Sequence, residues 1–146
     1  MEDVFGDLVR VETRLYNALD AALREHHALP LGSFEFLRFI GRRGSARVSD
    51  LAAEFAIGIG AASKGVDRLE AKGWIERIPN PANRRSSLIV VTEAGVRLAR
   101  AAAPTFGAEF ARLTSSLDRS ALDALAGALR TVRRSLEDEQ SGQPAG

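Results

Sequence analysis

The stretch 69–95, LEAKGWIERIPNPANRRSSLIVVTEAG, constrains the fold more than any other part of the chain. A helical pattern ends near its start, at a glycine of the helix-ending type. Two strand-forming runs follow, Trp74–Ile78 and Ser86–Val91, and the polar loop between them contains Arg84 and Arg85 together with two prolines and two asparagines. Two strands joined by such a loop predict a β-hairpin that carries adjacent arginines at its tip.

Two short helices are expected immediately before the hairpin. Ser49 is the expected N-cap of a helix over 50–55, and a second helix is expected from about Ile59 to Lys72, after a tight turn that contains glycine. Helices of this length and separation are typical of a helix-turn-helix, whose second helix enters the major groove of DNA. With the hairpin as its wing, this pattern predicts a winged helix-turn-helix, mainly α with a small β wing. Residues 47–48 are expected to pair as a further small strand.

Amphipathic helices flank this lobe on both sides. Apolar residues recur every three or four positions over 3–27 and over 93–117, where Thr92 is the expected N-cap. A short apolar helix is expected over 34–42, with Ser33 as its N-cap. In the last helix, which an aspartate caps, apolar residues step by three and four as in a coiled-coil seam of about two heptads: Leu122, Leu125, Leu129, Val132 and Leu136.

These elements predict one domain over 1–140. Its DNA-binding lobe is expected over 33–97, and the helices within 1–30 and 98–137 are expected to form a dimer, because one small lobe cannot bury their apolar stripes. The remaining tail, 138–146, is polar with glycine and proline and is expected to be disordered.

Charge singles out the same lobe. Residues 38–97 contain 11 Lys and Arg against 6 Asp and Glu, whereas the rest of the chain contains 9 against 13. A local basic excess is the electrostatic footprint of a phosphate-binding face, although by itself it fits a solvated charged surface equally well. The predicted DNA-binding residues are Arg84, Arg85, Ser63, Lys64, Arg68, Arg77, Ser49 and Arg47.

Arg84 and Arg85 are the strongest of these candidates, because a planar guanidinium suits the narrow, negative minor groove. The alternative is that one of the two only pairs with a carboxylate of the wing. In the second helix, Ser63, Lys64 and Arg68 offer hydrogen bonds, whereas its first turn offers only apolar contacts to thymine methyl groups and close backbone approach. A glycine within this helix costs about 1 kcal/mol relative to alanine, so it either permits close packing or is a tolerated weakness.

Other kinds of chemistry lack the residues that they need. The chain has no cysteine, which excludes disulfides, thiolate zinc sites and cysteine-based redox sensing. His26 and His27 are adjacent on a helix and point about 100° apart, so they chelate one metal ion poorly. No catalytic constellation or phosphate-binding glycine loop is present, and neither enzymatic activity nor a cofactor is expected. No apolar run reaches the ~20 residues of a membrane span, and the acidic N-terminus is unlike a signal peptide, so a cytoplasmic protein is expected.

Four segments together resemble the MarR family of bacterial transcriptional regulators, over nearly the whole chain. They are LAAEF at 51–55, VDRLEAKGWIER at 66–77, NPANRR at 80–85 and LIVVTEAG at 88–95. The resemblance implies a homodimer, built by the terminal helices, that binds pseudo-palindromic double-stranded DNA with one helix in the major groove and a wing arginine in the minor groove. It also implies a repressor that a small phenolic or other apolar effector releases from DNA.

The chain departs from the family pattern at the wing, where Asn80 and Asn83 replace aspartates that brace the wing arginines, and at the start of the second helix, where glycine and alanine replace serine and threonine. The resemblance also implies an effector site between the first helix, the 34–42 helix and the long helix after Thr92. The residues expected there are Tyr16, His26, His27, Phe34, Phe36 and Phe39, although aromatic residues at helical spacing also fit a plain core. The rival function is a winged-helix protein-interaction module without DNA binding, and a small enzyme or metal protein is a remoter alternative.

Overall fold

The computed structural model describes residues 2–141. Its helices are α1 (Glu2–His27), α2 (Leu31–Arg43), α3 (Val48–Glu54), α4 (Ile59–Ala71), α5 (Glu93–Leu113) and α6 (Arg119–Ser141), and its strands are β1 (Ile75–Pro79) and β2 (Ser87–Val91). The kind and order of these elements confirm the predicted winged helix-turn-helix. The chain divides into two compact units after Phe110, and the helix-turn-helix and its wing lie in the first.

The first unit has an apolar core that joins the helix-turn-helix to the wing. Its largest fully buried side chains are Phe34, Leu23, Leu29, Leu37, Ile40, Leu51, Leu69, Ile75, Ile89 and Val66. The two strands are antiparallel, with Ile75 opposite Val91 at the base of the wing and Pro79 opposite Ser87 toward its tip. Strand β2 packs against α2 and strand β1 against α4, so the wing base belongs to the same core as these helices.

α2 begins before its predicted start. It starts at Leu31, so Ser33 lies inside the helix and is not its N-cap. Pro30 occupies the N-cap position and has no side-chain acceptor, and the Asp20 carboxylate of α1 instead accepts a hydrogen bond from the Leu31 amide at 2.8 Å. The prediction was wrong here because the group that caps the helix comes from another element.

α3 also begins early, at Val48. The Asp50 carboxylate accepts a hydrogen bond from the Arg47 amide at 2.8 Å, so Asp50 and not Ser49 satisfies this end of the helix. The small strand expected at 47–48 is also wrong, because Val48 is helical and the only bridge in this segment pairs Ala46 with β2.

The long helix after the wing keeps its predicted start and ends about one turn early. The Thr92 hydroxyl caps α5 by accepting a hydrogen bond from the Gly95 amide at 3.1 Å. α5 ends at Leu113, and the Asp118 carboxylate caps α6 as expected, by accepting a hydrogen bond from the Ala121 amide at 2.8 Å.

α6 continues further than expected. It ends at Ser141, so residues 138–141 are helical where disorder was predicted, and 142–146 lie outside the described residues. An ion pair one turn apart, Arg133 to Glu137 at 2.6 Å, stabilises this polar end of the helix.

Candidate nucleic-acid interface

The base of the wing is held by direct backbone contacts. The Thr92 hydroxyl donates a hydrogen bond to the Gly73 carbonyl at 2.6 Å, and the Thr92 amide donates to the Trp74 carbonyl at 3.0 Å. Gly95 packs against the same Trp74 carbonyl, so a β-carbon there would collide with backbone. Gly73 has φ +75, in the left-handed region that favours glycine, which confirms it as the residue that ends the helix. The end of α4, the first residue of the wing and the start of α5 therefore meet at one point.

A cation in β1 ties the wing to α4. The Arg77 guanidinium lies 2.7 Å from the Asp67 carboxylate and 2.6 Å from that of Glu70. The hydrogen bond to Asp67 and the charges of both carboxylates raise the pKa of the Arg77 guanidinium, although partial burial opposes them. Arg77 therefore has two partners inside the protein, and it offsets acidic charge on α4 that would repel phosphate.

The wing tip, residues 80–86, is braced by its asparagines. The side-chain carbonyl of Asn80 accepts a hydrogen bond from the Ala82 amide, and that of Asn83 accepts one from the Arg85 amide, both at 3.0 Å. The Asn80 side chain also donates to the hydroxyl of the serine that closes the loop, at 3.0 Å. These local turns hold the loop backbone and leave the arginine side chains unbraced.

Arg84 and Arg85 are exposed on this tip. Within residues 2–141, neither guanidinium has an ion-pair partner or a side-chain hydrogen bond. The alternative that one of them pairs with a wing carboxylate is therefore not seen in the described chain. An arginine without an internal partner keeps its full fork of donors for a ligand.

The inner face of α4 is packed so closely that one position must be small. Ala62, Gly65, Val66 and Leu69 are buried, and a β-carbon at Gly65 would lie 2.8 Å from the ring of Phe36. Of the two interpretations of this glycine, close packing is confirmed. The absence of a side chain at Gly65 lets α4 pack closely against α2 and so fixes the position of α4 relative to α2.

The outer face of α4 lies opposite these buried positions by helical spacing, and it consists of Gly60, Lys64 and Asp67, with the half-buried Ser63 at its edge. Lys64 is exposed and has no ion-pair partner in the described part of the chain. Arg68, one turn after Lys64, is exposed at the edge of this face and also lines a cleft toward α1 and α2. Ile59, the first residue of the helix, is 58% exposed.

The start of α3 carries a cation that is exposed but partnered. The Asp50 carboxylate lies 3.1 Å from the guanidinium of Arg47 and 3.6 Å from that of Arg43. The side-chain hydrogen bond between Arg47 and Asp50 lowers the pKa of the Asp50 carboxyl and raises the pKa of the Arg47 guanidinium. Ser49 is exposed beside this pair.

Two of the predicted effector residues, Tyr16 and Phe36, line a space of about 1150 Å³ between α1, α2 and α4, here called the α1–α2–α4 cleft. Its walls mix acidic and basic side chains, and Asp20 and Arg24 pair with each other at 2.8 Å. Burial, followed by the charge of Asp20, raises the pKa of the Tyr16 hydroxyl.

A second space, of about 610 Å³, lies between α2, α5 and the end of β2 and is here called the α2–α5 cleft. Its charged and aromatic lining residues are Phe34, Arg38, Arg42, Arg100 and Phe106, and no acidic side chain lines it within the described chain. The Arg38 guanidinium lies 5.3 Å from the ring centroid of Phe34 and 5.2 Å from that of Phe106. The cleft thus combines aromatic walls with three cations.

The remaining predicted effector residues lie elsewhere. Phe39 packs on Phe55 with ring centroids 5.9 Å apart, and neither histidine lines either cleft. His27 is held by a hydrogen bond of 2.7 Å between its Nε2 atom and the hydroxyl of Thr105 on α5. The structure therefore does not bring these six residues into one cleft, because helical spacing alone does not tell which neighbouring element each side chain packs against.

Sequence reasoning missed the arginines of the α2–α5 cleft. Phe34, Arg38 and Arg42 follow one another at steps of four, which places them on one face of α2 and could have revealed them. Arg100 and Phe106 come from α5, and no local pattern connects them with α2.

Among residues 2–141, no cluster of three or more His, Cys, Asp or Glu side chains is arranged to hold a metal ion. In the same part of the chain, no helix has the length and apolar character needed to cross a membrane.

The fold and its cationic wing define a protein of the winged helix-turn-helix class. The sequence profile of the MarR family matches residues 29–87. Multiple antibiotic resistance protein MarR from Salmonella typhimurium is 29% identical over 102 residues, which span 66% of this chain and 71% of that protein. The chain is thus similar to the MarR family over residues 29–87 and to this MarR protein over a longer segment.

Solved structures agree in fold over most of the chain. A mutant of MarR from Escherichia coli, complexed with operator DNA, has a TM-score of 0.79 at 26% identity and covers 87% of this chain and 91% of its own. A MarR family transcriptional regulator from Streptomyces coelicolor, in complex with DNA, has a TM-score of 0.81 at 24% identity, with 99% of this chain and 88% of its own covered.

Proposed function

We propose that this protein is a sequence-specific DNA-binding repressor, which acts as a homodimer on a pseudo-palindromic operator and responds to a small aromatic acid. The wing tip carries the proposal, because Arg84 and Arg85 are exposed and have no partner within residues 2–141. The operator DNA in the structure of the Escherichia coli relative supports the same function.

In the proposed complex, α4 enters the major groove and the wing tip enters the adjacent minor groove. Ser63 and Lys64 reach base edges or phosphates from the outer face of α4, and Arg68 contacts the backbone from its edge. Arg84 and Arg85 enter the minor groove, where negative potential favours guanidinium groups.

Arg47, at the start of α3, and Arg77, in β1, have supporting roles in the same complex. Arg47 and Ser49, at the start of α3, contact backbone phosphates, and the pairing of Arg47 with Asp50 fixes the direction of its side chain. Arg77 acts mainly inside the protein, because its two carboxylate partners hold it between α4 and β1.

Apolar faces that each unit leaves uncovered support the homodimer. On α1 the exposed apolar residues are Val4, Phe5, Leu8, Val9 and Val11, and on α6 they are Leu125, Leu129, Val132 and Leu136. Continuous apolar faces of this length are unusual on a soluble monomer, so a second copy of the chain is the expected cover. Two-fold symmetry of such a dimer would match the symmetry of a pseudo-palindromic operator.

The α2–α5 cleft is the proposed effector site. Its aromatic walls suit an aromatic ring, and Arg42 and Arg100 have no ion-pair partner in the described chain and so remain available to a carboxylate. The α1–α2–α4 cleft suits an anion less well, because Asp20 and Glu35 also line it. An effector would change DNA affinity only by its differential affinity for the two arrangements of the recognition helices.

Selection of bound sequences from random DNA by the purified protein tests the DNA-binding part. The expected result is an inverted repeat whose half-sites lie about one helical turn, or a multiple of one turn, apart. If no sequence is enriched and the protein also lacks salt-dependent affinity for DNA, the protein-interaction module is the correct function. Sedimentation at micromolar concentration is expected to give a dimer, and a well-folded monomer would contradict the dimer.

Titration of hydroxybenzoic acids into the preformed protein–DNA complex tests the effector part. Release of DNA is expected, and Arg100→Gln should raise the concentration that is needed. Arg24→Gln removes an arginine from the other cleft and is the matched control. If Arg24→Gln abolishes the response and Arg100→Gln does not, the effector binds in the α1–α2–α4 cleft, and the site proposed here is wrong.

A further inference from the structure

We propose that Ile59 reads the 5-methyl group of a thymine in each half of the operator. The proposal rests on the proposed function, in which α4 lies in the major groove. It adds a specific base contact to a helix whose first turn has no hydrogen-bonding side chain.

The exposure of Ile59 has no explanation within the described chain. Between residues 31 and 92, the large apolar side chains that are strongly exposed are Ile57, at 38%, and Ile59, at 58%. Ile57 lines the α1–α2–α4 cleft, whereas Ile59 lines neither cleft and belongs to neither of the apolar faces assigned to the dimer. As the first residue of α4, Ile59 stands where recognition helices contact base edges.

Glycines on either side of Ile59 give a second and independent observation. A β-carbon at Gly58 or Gly60 would meet no atom within 4 Å among the described residues, so packing does not require glycine at either position. Gly58 has φ −66, which any residue adopts, and Gly60 is helical, where glycine is unfavourable. Close approach of this backbone to a ligand accounts for both glycines, and it would bring Ile59 against the groove floor.

The chemistry of the major groove identifies the group that Ile59 meets. The 5-methyl group of thymine is the apolar group that base pairs present there, and cytosine lacks it unless it is methylated. Burying one such carbon against an aliphatic side chain corresponds to about a fourfold change in affinity per half-site. Two equivalent contacts in a dimer would therefore give about a sixteenfold change.

The experiment uses the operator obtained by selection and leaves the protein unaltered at first. Each thymine is replaced in turn by deoxyuridine, which removes only the methyl group, and affinity is measured by competition. One position per half-site is expected to lose about fourfold, and 5-methylcytosine in place of that thymine should restore part of the loss. The loss should disappear in Ile59→Ala and persist in Ile57→Ala, which deletes the same side chain from the neighbouring exposed isoleucine.

Two results would overturn the proposal. One is equal affinity for every uracil-substituted operator and the parent operator, and the other is undiminished methyl sensitivity in Ile59→Ala. Both leave DNA binding intact, so they differ from failure of the proposed function, in which no operator is selected at all. If Ile59→Ala perturbs α4, Ile59→Val keeps a branched side chain, and it should retain part of the methyl sensitivity.

Discussion

The two ends of the wing are built in opposite ways. At the base, Thr92 and Gly95 contact the backbone of Trp74 directly, and Arg77 bridges β1 to two carboxylates of α4. At the tip, short asparagine turns hold the loop and the arginine side chains have no partner within residues 2–141. The same hairpin thus contains one cation paired with two carboxylates and two cations with no partner in the described chain.

The two ends of the wing therefore have different roles. The base positions the wing, and the tip is available to bind a ligand. Because the base is attached to α4, the helix and the wing tip keep a constant relative position. They would therefore reach adjacent grooves together. The arginines at the tip keep all their hydrogen-bond donors and their charge available to a ligand, whereas the charge of Arg77 is already paired with Asp67 and Glu70. Substitutions at the two ends of the wing should therefore have opposite effects on stability and on DNA binding.

The largest effect is expected from Gly95→Ala at the base. Its β-carbon would collide with the Trp74 carbonyl and with the Val91 side chain, so the start of α5 or the end of the wing must shift. Overpacking of this kind costs about 3 kcal/mol of stability. Urea unfolding at one fixed protein concentration measures it, since dimerisation makes stability depend on concentration.

The control for that substitution is Gly60→Ala, a helical glycine with open space around its β-carbon. Removing glycine there should stabilise the free protein by up to about 1 kcal/mol. If both substitutions had the same effect on unfolding, the base would not be the rigid end of the wing.

At the tip, Arg84→Ala combined with Arg85→Ala should weaken operator binding by about 2 kcal/mol and leave unfolding unchanged. Each lost phosphate or groove contact should lower the salt slope by about one, and Arg84 is expected to matter more than Arg85. Arg119→Ala, which removes one arginine charge at the start of α6, is the control for each single substitution at the tip. Undiminished binding by the double variant would show that the tip does not enter DNA.

Arg77→Gln should give the reverse pattern, with a loss of about 1 kcal/mol in stability, since its carboxylate partners are largely exposed. Operator affinity should fall because the wing is less well placed, but the salt slope should keep its parent value. A slope lower by about one, with unchanged stability, would make Arg77 a phosphate contact and remove the contrast between base and tip.

The sequence predicted this hairpin well and its division of roles poorly. Both strands lie within one residue of their predicted bounds, because glycine, proline and alternating apolar residues encode a hairpin locally. The partners of Arg77 lie on α4, and those of Arg84 are absent from the described chain, so two arginines of one hairpin look alike until the helix is packed beside the strand.

Partners that are distant in sequence also explain why the grouping of the predicted effector residues and the start of α2 were not predicted correctly. Aromatic residues were visible in the sequence, but their division between two clefts depends on how α2 packs against α4 on one side and α5 on the other. Asp20 caps Leu31 from 11 positions away, beyond the reach of any local capping rule. Features fixed by neighbours in sequence were predictable, and features fixed by neighbours in space were not.

The segment that bridges to the wing at Ala46 and Ile89 is followed, at the start of α3, by an ion pair between Arg47 and the Asp50 carboxylate. The pKa of this carboxyl is lowered in the folded protein, chiefly by its hydrogen bond from Arg47. Its contribution to stability is therefore present above the unfolded pKa, near 3.9, and is lost as pH falls through the lower folded value. Asp50→Asn should lose less than about 1 kcal/mol at pH 7, and the difference from the parent should vanish well below pH 4. A difference that persisted at that acidity would assign the effect to packing.

The smallest effect is expected at the brace of the wing tip. Asn83→Ala removes the acceptor for the Arg85 amide, so the tip should sample more conformations before it binds. Stability should change by only about 0.5 kcal/mol, because the turn is exposed, and operator affinity should fall by less than about threefold. Asn83→Asp keeps the acceptor but adds a carboxylate that competes for the neighbouring guanidinium groups, so it should lower the salt slope while preserving the turn. Amide hydrogen exchange at Arg85 distinguishes the two, since faster exchange is expected only in the alanine variant. If exchange at the Arg85 amide is unchanged in both variants, Asn83 does not brace the tip. The backbone of the tip would then be held by the pairing of the two strands alone.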